Sequence, residues 1–196
     1  TEITATGIGA HASTPDVGNN ALTGLLVFLG KLDFASCPQV DMVRKTASLF
    51  PHGDVNGKTL GVAMEDELSG NLTLSFNMLS VDAASMDGEF DGRIPVCGND
   101  ENVLEVVRAR MAEQGLTLLN KALIPPHHVS ADSYFVKTLL AAFELYTGRK
   151  GECQALGGGT YVHHLENGVA FGAAMPETDN KMHGPDEFVI IDQLVM

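Results

Sequence analysis

Apolar residues recur at helical spacing, every three or four positions, in three stretches of the chain. This spacing places one apolar stripe on each stretch and predicts three amphipathic helices. Asn99 and Asp100 offer an N-cap to the second helix, while Gly115 and Gly148 end the second and third. The stripes are Leu22, Leu25, Leu26, Leu29 and Leu32, then Val103, Leu104, Val107 and Met111, then Val136, Leu139, Leu140 and Phe143.

Strict alternation of apolar and polar residues marks the clearest strand, residues 71–81, and a second strand follows at 89–96. Shorter or looser apolar patterns predict strands at 1–10, 116–123, 153–156 and 169–171. Residues 33–70 are less regular and contain Pro38, Pro51 and several glycines, which predicts loops and short helices. The order strand, strand, helix, strand over 71–123 is typical of a small α/β sandwich.

Pro125-Pro126 is the best candidate for a domain boundary, because two consecutive prolines cannot continue a helix or a central strand. We therefore expect one domain at residues 1–125 and another at 126–196. The predicted fold class is α/β, with helices and strands in both parts.

Charge and cysteine content narrow the class of protein. Twelve basic and 25 acidic residues give a net charge of −13, which argues against a nucleic-acid partner because phosphate binding needs clustered Lys and Arg. The apolar runs are too short to span a membrane. The three cysteines form no CxxC pair and no even-numbered disulfide framework, so we expect a reducing, cytoplasmic location.

Two isolated side chains could do chemistry. His11 lies among small residues at the end of the first predicted strand, where its ring could donate a hydrogen bond to an oxyanion. Arg93 lies on the polar face of its strand and could hold a carboxylate through two parallel hydrogen bonds. A structural role for His11 and an ion pair of Arg93 with Glu89 or Asp91 are the alternatives.

Glycines and further histidines give the other candidates. Gly157-Gly158-Gly159 could bring backbone N–H groups close to a ligand, or could simply form a tight turn. His127-His128 and His163-His164 are adjacent pairs that point apart in an extended chain, so neither chelates one ion easily. His183, in a loop before Asp186-Glu187, could be a zinc ligand, but one ligand does not make a site.

Taken in order, these motifs resemble the M20 metallopeptidases, and within them the PepV-like dipeptidases. The segment Gly9-Ala10-His11-Ala12-Ser13, continued to Asn20-Ala21, is similar to a lid motif of that family. Arg93-Ile94-Pro95 resembles the Arg-Tyr-Pro strand of the same lid. The segments 157–161, 168–172 and 182–187 resemble the end of its catalytic domain.

The resemblance implies an α+β lid of ferredoxin-like β-α-β-β character, followed by the C-terminal part of a zinc-aminopeptidase-like α/β domain. It implies two zinc ions, which manganese or cobalt could replace, with His183 as one ligand. It also implies that His11 stabilises the oxyanion, that Arg93 grips the C-terminal carboxylate of a dipeptide, and that Gly157, Gly158 and Gly159 line the substrate. In place of an arginine that such proteins often carry after the glycines, this chain has His163.

The family's other metal ligands and its catalytic Glu are absent from these 196 residues. We therefore expect a C-terminal piece of a metallodipeptidase, inactive by itself, from a parent that is a monomer or homodimer and binds neither nucleic acid nor membrane. Deacylation of N-acyl amino acids is the related alternative activity. A non-catalytic association module is the alternative outside enzymology.

Overall fold

A computed structural model of the chain describes residues 2–172, 175, 177–182 and 184–195. The chain divides into two compact units, one made of Thr1–Pro126 with Ala155–Gly158 and the other of His127–Gln154 with Gly159–Met196. The predicted boundary at Pro125-Pro126, as a limit of independent folding, stays a prediction.

The first unit mixes helices with two small antiparallel sheets, so the α+β character of the predicted lid is confirmed. A 3₁₀ turn at Pro15–Val17 precedes the helices α1 (Ala21–Gly30) and α2 (Pro38–Leu49). The short strands β1 (Glu65–Asp66) and β2 (Gly70–Asn71) pair with each other, as do β3 (Thr73–Val81) and β4 (Met86–Arg93). A turn of π-helix, Asp100–Leu104, leads into α3 (Glu105–Glu113).

The core of this unit forms where α1, α2 and α3 cover one face of the β3–β4 hairpin. Phe76 of β3 stacks on Phe50 at a ring-centroid distance of 4.5 Å. The ring centroid of Phe90 of β4 lies 5.2 Å from that of Phe50. The alternation predicted for β3 holds as far as Phe76, because Leu74 and Phe76 are buried. Beyond the register shift between Phe76 and Met78 it is wrong, since Met78 is exposed and Leu79 packs against the core instead. The buried core residues are Leu26, Leu49, Phe50, Leu60, Val62, Leu72, Leu74, Phe76, Val103 and Val107.

The caps predicted from the sequence are present at both ends of the helices concerned. The Asn99 side chain accepts hydrogen bonds from the backbone of Glu101 and Asn102. Gly115 and Gly148 adopt φ angles of +76° and +68°, which an L side chain would resist. The region expected to hold loops and short helices contains α2, a regular helix of 12 residues.

The strand predicted at 116–123 is wrong. Leu116, Leu118 and Leu123 pack against the core, but this segment is extended chain without a strand partner among the described residues. Side chains bind its backbone instead: Arg108 donates to the Asn120 carbonyl at 2.8 Å, and the Leu123 N–H donates to Asp100 at 2.8 Å. An apolar alternation thus marks a buried segment, but a strand also needs a neighbouring strand.

The strand predicted at residues 1–10 is also absent from the described part of that segment, which makes one isolated bridge between Ile8 and Asn19. In the second unit, the described residues form α4 (Tyr134–Thr147), a 3₁₀ turn at Tyr161–His164 and the short helix α5 (Ile191–Leu194). The strands predicted at 153–156 and 169–171 are not formed there, because no partner strand lies beside them among the described residues.

Asn20 joins α1 to the hairpin. Its Oδ1 caps the helix by accepting the Thr23 N–H at 3.0 Å, and its Nδ2 donates to the Phe76 carbonyl at 2.8 Å. The Phe76 carbonyl lies beside the register shift between Phe76 and Met78, where the β3–β4 ladder is interrupted. One side chain therefore caps a helix and also satisfies a strand carbonyl.

Replacing Asn20 with Ala should lower the free energy of unfolding by about 1–3 kcal/mol, since it removes the N-cap and the bond to Phe76 together. Urea unfolding followed by circular dichroism measures the change. The matched control is Asn19→Ala, because the exposed Asn19 contributes its backbone to the bridge with Ile8 and its side chain makes no described hydrogen bond. Equal losses in both variants would contradict the assigned role.

Candidate functional site

The His11 loop is a tight turn whose own backbone sets the direction of the ring. The Thr14 N–H donates to the His11 carbonyl at 2.9 Å, and Pro15 begins the 3₁₀ turn. Within this turn the Ser13 N–H donates to His11 Nδ1 at 3.2 Å, and the Ser13 hydroxyl lies 2.7 Å from the same nitrogen. Because a backbone N–H can only donate, Nδ1 is the acceptor and the proton of the neutral ring is on Nε2.

A long-range hydrogen bond fixes this loop to the hairpin. The Thr73 hydroxyl donates to the Ala12 carbonyl at 2.8 Å, linking residues 61 positions apart. Thr73 is the first residue of β3 and pairs directly with Arg93, the last residue of β4. Directly paired residues of an antiparallel ladder project their side chains from the same face of the sheet. The His11 loop and Arg93 therefore lie at the same end and on the same face of the hairpin.

Arg93 is paired with Asp91 on that face. Its Nη2 donates to Asp91 Oδ2 at 2.9 Å. Its buried Nε lies 2.7 Å from Oδ1 at an angle too poor for a hydrogen bond, so this second contact is electrostatic. The ion pair, which was the alternative to substrate binding, is present, but it occupies only the Nε–Nη2 edge of the guanidinium. The Nη1–Nη2 edge can still receive a second carboxylate.

The glycine loop is divided between the two units. Gly157 and Gly158 belong to the first unit and Gly159 to the second. A methyl group built on Gly158 would meet His11 Cε1 at 3.9 Å, an ordinary contact, while one built on Gly157 would lie 2.5 Å from Ser13 Cβ. The structure thus brings the first two glycines against the His11 loop.

The remaining predicted site residue, His183, lies outside the described residues. Among those that are described, no three His, Cys, Asp or Glu side chains converge as a metal site would require. In the second unit, His127 Nε2 lies 2.6 Å from the Gly168 carbonyl, and its ring centroid lies 5.4 Å from that of His163. The pattern of adjacent histidines did not predict this contact of His127 with the Gly168 carbonyl.

Sequence reasoning missed the residues that support this site. Thr73 looked like one polar residue of an alternating strand, and Ser13 looked like part of a motif. The position of Ser13 two residues after His11 and two before a proline was the available signal, because a turn there brings its side chain back onto the ring. No comparable signal marked Thr73, whose partner is 61 residues away.

The segment that follows Arg93 is held by Asp66. Its carboxylate accepts the Ser69 N–H at 2.6 Å and the Cys97 N–H at 3.0 Å, and the Ser69 hydroxyl in turn accepts the Val96 N–H at 2.8 Å. The Ser69 N–H, followed by the N–H groups of Cys97 and Leu68, lowers the pKa of Asp66 to about 2 against the opposing effect of burial. Burial and the nearby Asp66 raise the pKa of Cys97, so that thiol stays protonated at neutral pH.

Because the folded-state pKa of Asp66 lies below the usual value of 3.8, its stabilising contribution is complete above about pH 4 and is lost as pH falls towards 2. Asp66→Asn should therefore unfold more easily than the wild type at pH 7, and the gap should shrink between pH 4 and 2. Urea midpoints measured across this range test the prediction. A gap that stayed constant down to pH 2 would show that Asp66 does not titrate in this way.

Comparison with known proteins identifies relatives of the whole chain. It is 33% identical over 196 residues to the Beta-Ala-Xaa dipeptidase of Lactobacillus delbrueckii subsp. lactis, covering 100% of this chain and 41% of that protein. It is 37% identical over 194 residues to YtjP of Bacillus subtilis (strain 168), provisionally named a dipeptidase, covering 96% and 40%. A protein of Staphylococcus epidermidis with the same provisional name is 29% identical over 195 residues, covering 98% and 41%.

These relatives confirm the resemblance to dipeptidases that the motifs indicate, and the chain spans about two fifths of their length. No family model matches the chain. Within the described residues, no helix is both long and apolar enough to cross a membrane.

Proposed function

We propose that this chain, a homologue of bacterial dipeptidases along its whole length, supplies the substrate-binding side of an M20-type active site that hydrolyses dipeptides. The observation that carries the proposal is the placement of the His11 loop and Arg93 on one face at one end of the β3–β4 hairpin. A hydrogen-bond donor and a carboxylate-binding cation on one face match the scissile carbonyl and the C-terminal carboxylate of a dipeptide.

His11 stabilises the negative charge that develops on the scissile carbonyl oxygen. Its Nε2–H is a donor without any change of protonation, because Nδ1 already accepts from Ser13. Such a donor binds the oxyanion of the tetrahedral intermediate more strongly than it binds the neutral carbonyl, so it lowers the barrier selectively. Removing one donor of this kind costs about a hundredfold or more in rate.

Arg93 binds the C-terminal carboxylate of the substrate through the guanidinium edge that Asp91 leaves available. Asp91 holds the plane of the guanidinium, so the substrate carboxylate meets a donor pair whose orientation is already fixed. With the carboxylate fixed at one end and the oxyanion donor at the other, the distance between them selects a peptide of two residues. Longer peptides place their carboxylate beyond this arginine.

Metal dependence is the part of the proposal that rests on the family resemblance. Zinc ions, when bound in the intact protein, would supply an activated water molecule and polarisation of the substrate carbonyl. The described residues of this chain do not form a metal centre by themselves. His183 is the candidate that the chain would contribute, and the steps assigned to His11 and Arg93 do not depend on it.

Replacing Arg93 with Ala should reduce kcat/KM for dipeptides with a free C-terminal carboxylate by about 10- to 100-fold, the value of a lost charge-assisted hydrogen-bond pair. The same variant should cleave the corresponding dipeptide amides at nearly the wild-type rate, because they lack the carboxylate. Steady-state kinetics of the full-length protein with both substrate series measures the difference.

The control for this experiment is Arg44→Ala, which removes an exposed arginine from α2 and leaves the hairpin intact. It corrects for the loss of one positive charge from an acidic protein. An equal fall in kcat/KM for free acids and amides in Arg93→Ala would remove Arg93 from carboxylate recognition.

Chelation with EDTA should abolish dipeptide cleavage by the full-length protein, and Zn²⁺, Mn²⁺ or Co²⁺ should restore it. The test is to measure the rate of dipeptide hydrolysis before chelation, after chelation and after each metal is added. Full activity in a sample shown by elemental analysis to be metal-free would disprove the metal-dependent mechanism and leave the Arg93 experiment unaffected.

A further inference from the structure

Ser13 contacts His11 through two groups at one nitrogen. The Ser13 hydroxyl lies 2.7 Å from His11 Nδ1, and the Ser13 N–H donates to it at 3.2 Å. We infer that Ser13 is a positioning residue, which holds His11 in the tautomer and ring orientation that make Nε2–H a hydrogen-bond donor. The inference rests on the role proposed for His11 and adds the residue that makes the role possible.

A neutral imidazole needs such a partner to be a dependable donor. Either ring nitrogen can carry the proton, and the nitrogen that lacks it can only accept. Two donors directed at Nδ1 stabilise its lone pair and so place the proton on Nε2. Without the hydroxyl, part of the His11 population would carry the proton on Nδ1 and could not donate to an oxyanion from Nε2.

The position of Ser13 is itself fixed from two sides. On one side, the turn closed by the Thr14 N–H and the bond from Thr73 to Ala12 hold the backbone of the loop. On the other side lies Gly157, where an added Cβ would approach Ser13 Cβ to 2.5 Å and Ser13 Oγ to 3.5 Å. Real Cβ atoms do not approach so closely, so a side chain at position 157 would push Ser13 away from His11.

The close contact with Ser13 therefore explains why residue 157 is a glycine. Its backbone is not in the left-handed region that favours glycine, so conformation alone would allow other residues there. The steric contact with Ser13 requires the absence of a side chain at this position, apart from any role of the glycines in substrate binding.

The direct test is the tautomer of His11 in the full-length protein labelled with ¹⁵N-histidine. Long-range ¹H–¹⁵N spectra distinguish the two neutral forms, and the His11→Ala variant assigns the signal. We expect the wild type to show the Nε2–H form alone, and Ser13→Ala to show a mixture of both forms. A wild-type His11 protonated on Nδ1, or a Ser13→Ala spectrum still confined to the Nε2–H form, would overturn the inference.

Kinetics give a second readout. Ser13→Ala should lower kcat for dipeptides about three- to tenfold while KM changes little, since the donor acts on the transition state rather than on the bound substrate. Ser48→Ala is the matched control, because its exposed hydroxyl bonds only to Lys45 of the same helix. A rise in KM with kcat unchanged would place Ser13 in substrate binding and refute the positioning role.

Gly157→Ala should reproduce the mixed tautomer of Ser13→Ala, and the double variant should be no worse than either single one. Gly30→Ala is the control, because an added Cβ there meets nothing within 4 Å. If His11→Ala keeps full activity, the proposed function of His11 fails, yet the tautomer spectra still decide whether Ser13 sets the ring. If instead Gly157→Ala leaves a pure Nε2–H form, the steric link to Ser13 is wrong.

Discussion

The position of the proposed site depends on one hydrogen bond, from the Thr73 hydroxyl to the Ala12 carbonyl. The His11 loop contains one isolated bridge and a 3₁₀ turn, but no regular strand among the described residues. Its own secondary structure therefore does not fix its position on the sheet. The bond fixes it above the first residue of β3, and the β3–β4 register brings Arg93 to the same place. Residues 82 positions apart in sequence thus share one face because of two local pairings.

The rest of the first unit packs against that hairpin. Three helices cover its apolar face, and the stacked rings of Phe50 and Phe76 lie at the centre of the core. Asn20 links the hairpin to α1, the helix that begins after the His11 loop. Asp66 holds the chain that follows Arg93, because its carboxylate accepts the N–H groups of both Ser69 and Cys97.

Helix positions and ends could be predicted because their determinants are local. The stripes of α1, α3 and α4, the Asn99 cap and the glycine ends all depend on residues within a few positions of one another. The strand at 116–123 could not be distinguished from extended chain, because its apolar alternation reports burial and the missing partner is not local. Its backbone is satisfied by Arg108 and Asp100, which no periodicity reveals.

The same difference between local and long-range determinants separates the residues of the site. His11 and Arg93 were recognisable as chemical groups within motifs, whereas Ser13 and Gly157 acquire their roles only when residues 144 positions apart meet. Asp91 was visible as an ion-pair partner on the strand, but which guanidinium edge it occupies is a matter of geometry. His183 lies outside the described residues and stays a prediction from the family resemblance.

The pairing of Arg93 with Asp91 also determines how a ligand is attracted. An arginine neutralised by its own neighbour, in a chain with a net charge of −13, exerts little pull on an anion at a distance. At the proposed site a ligand would arrive by unguided diffusion. It would be held by short-range hydrogen bonds, because the attraction begins only when a carboxylate reaches the outer guanidinium edge. Dissolved ions weaken long-range fields most, so at this arginine they would have little attraction to remove.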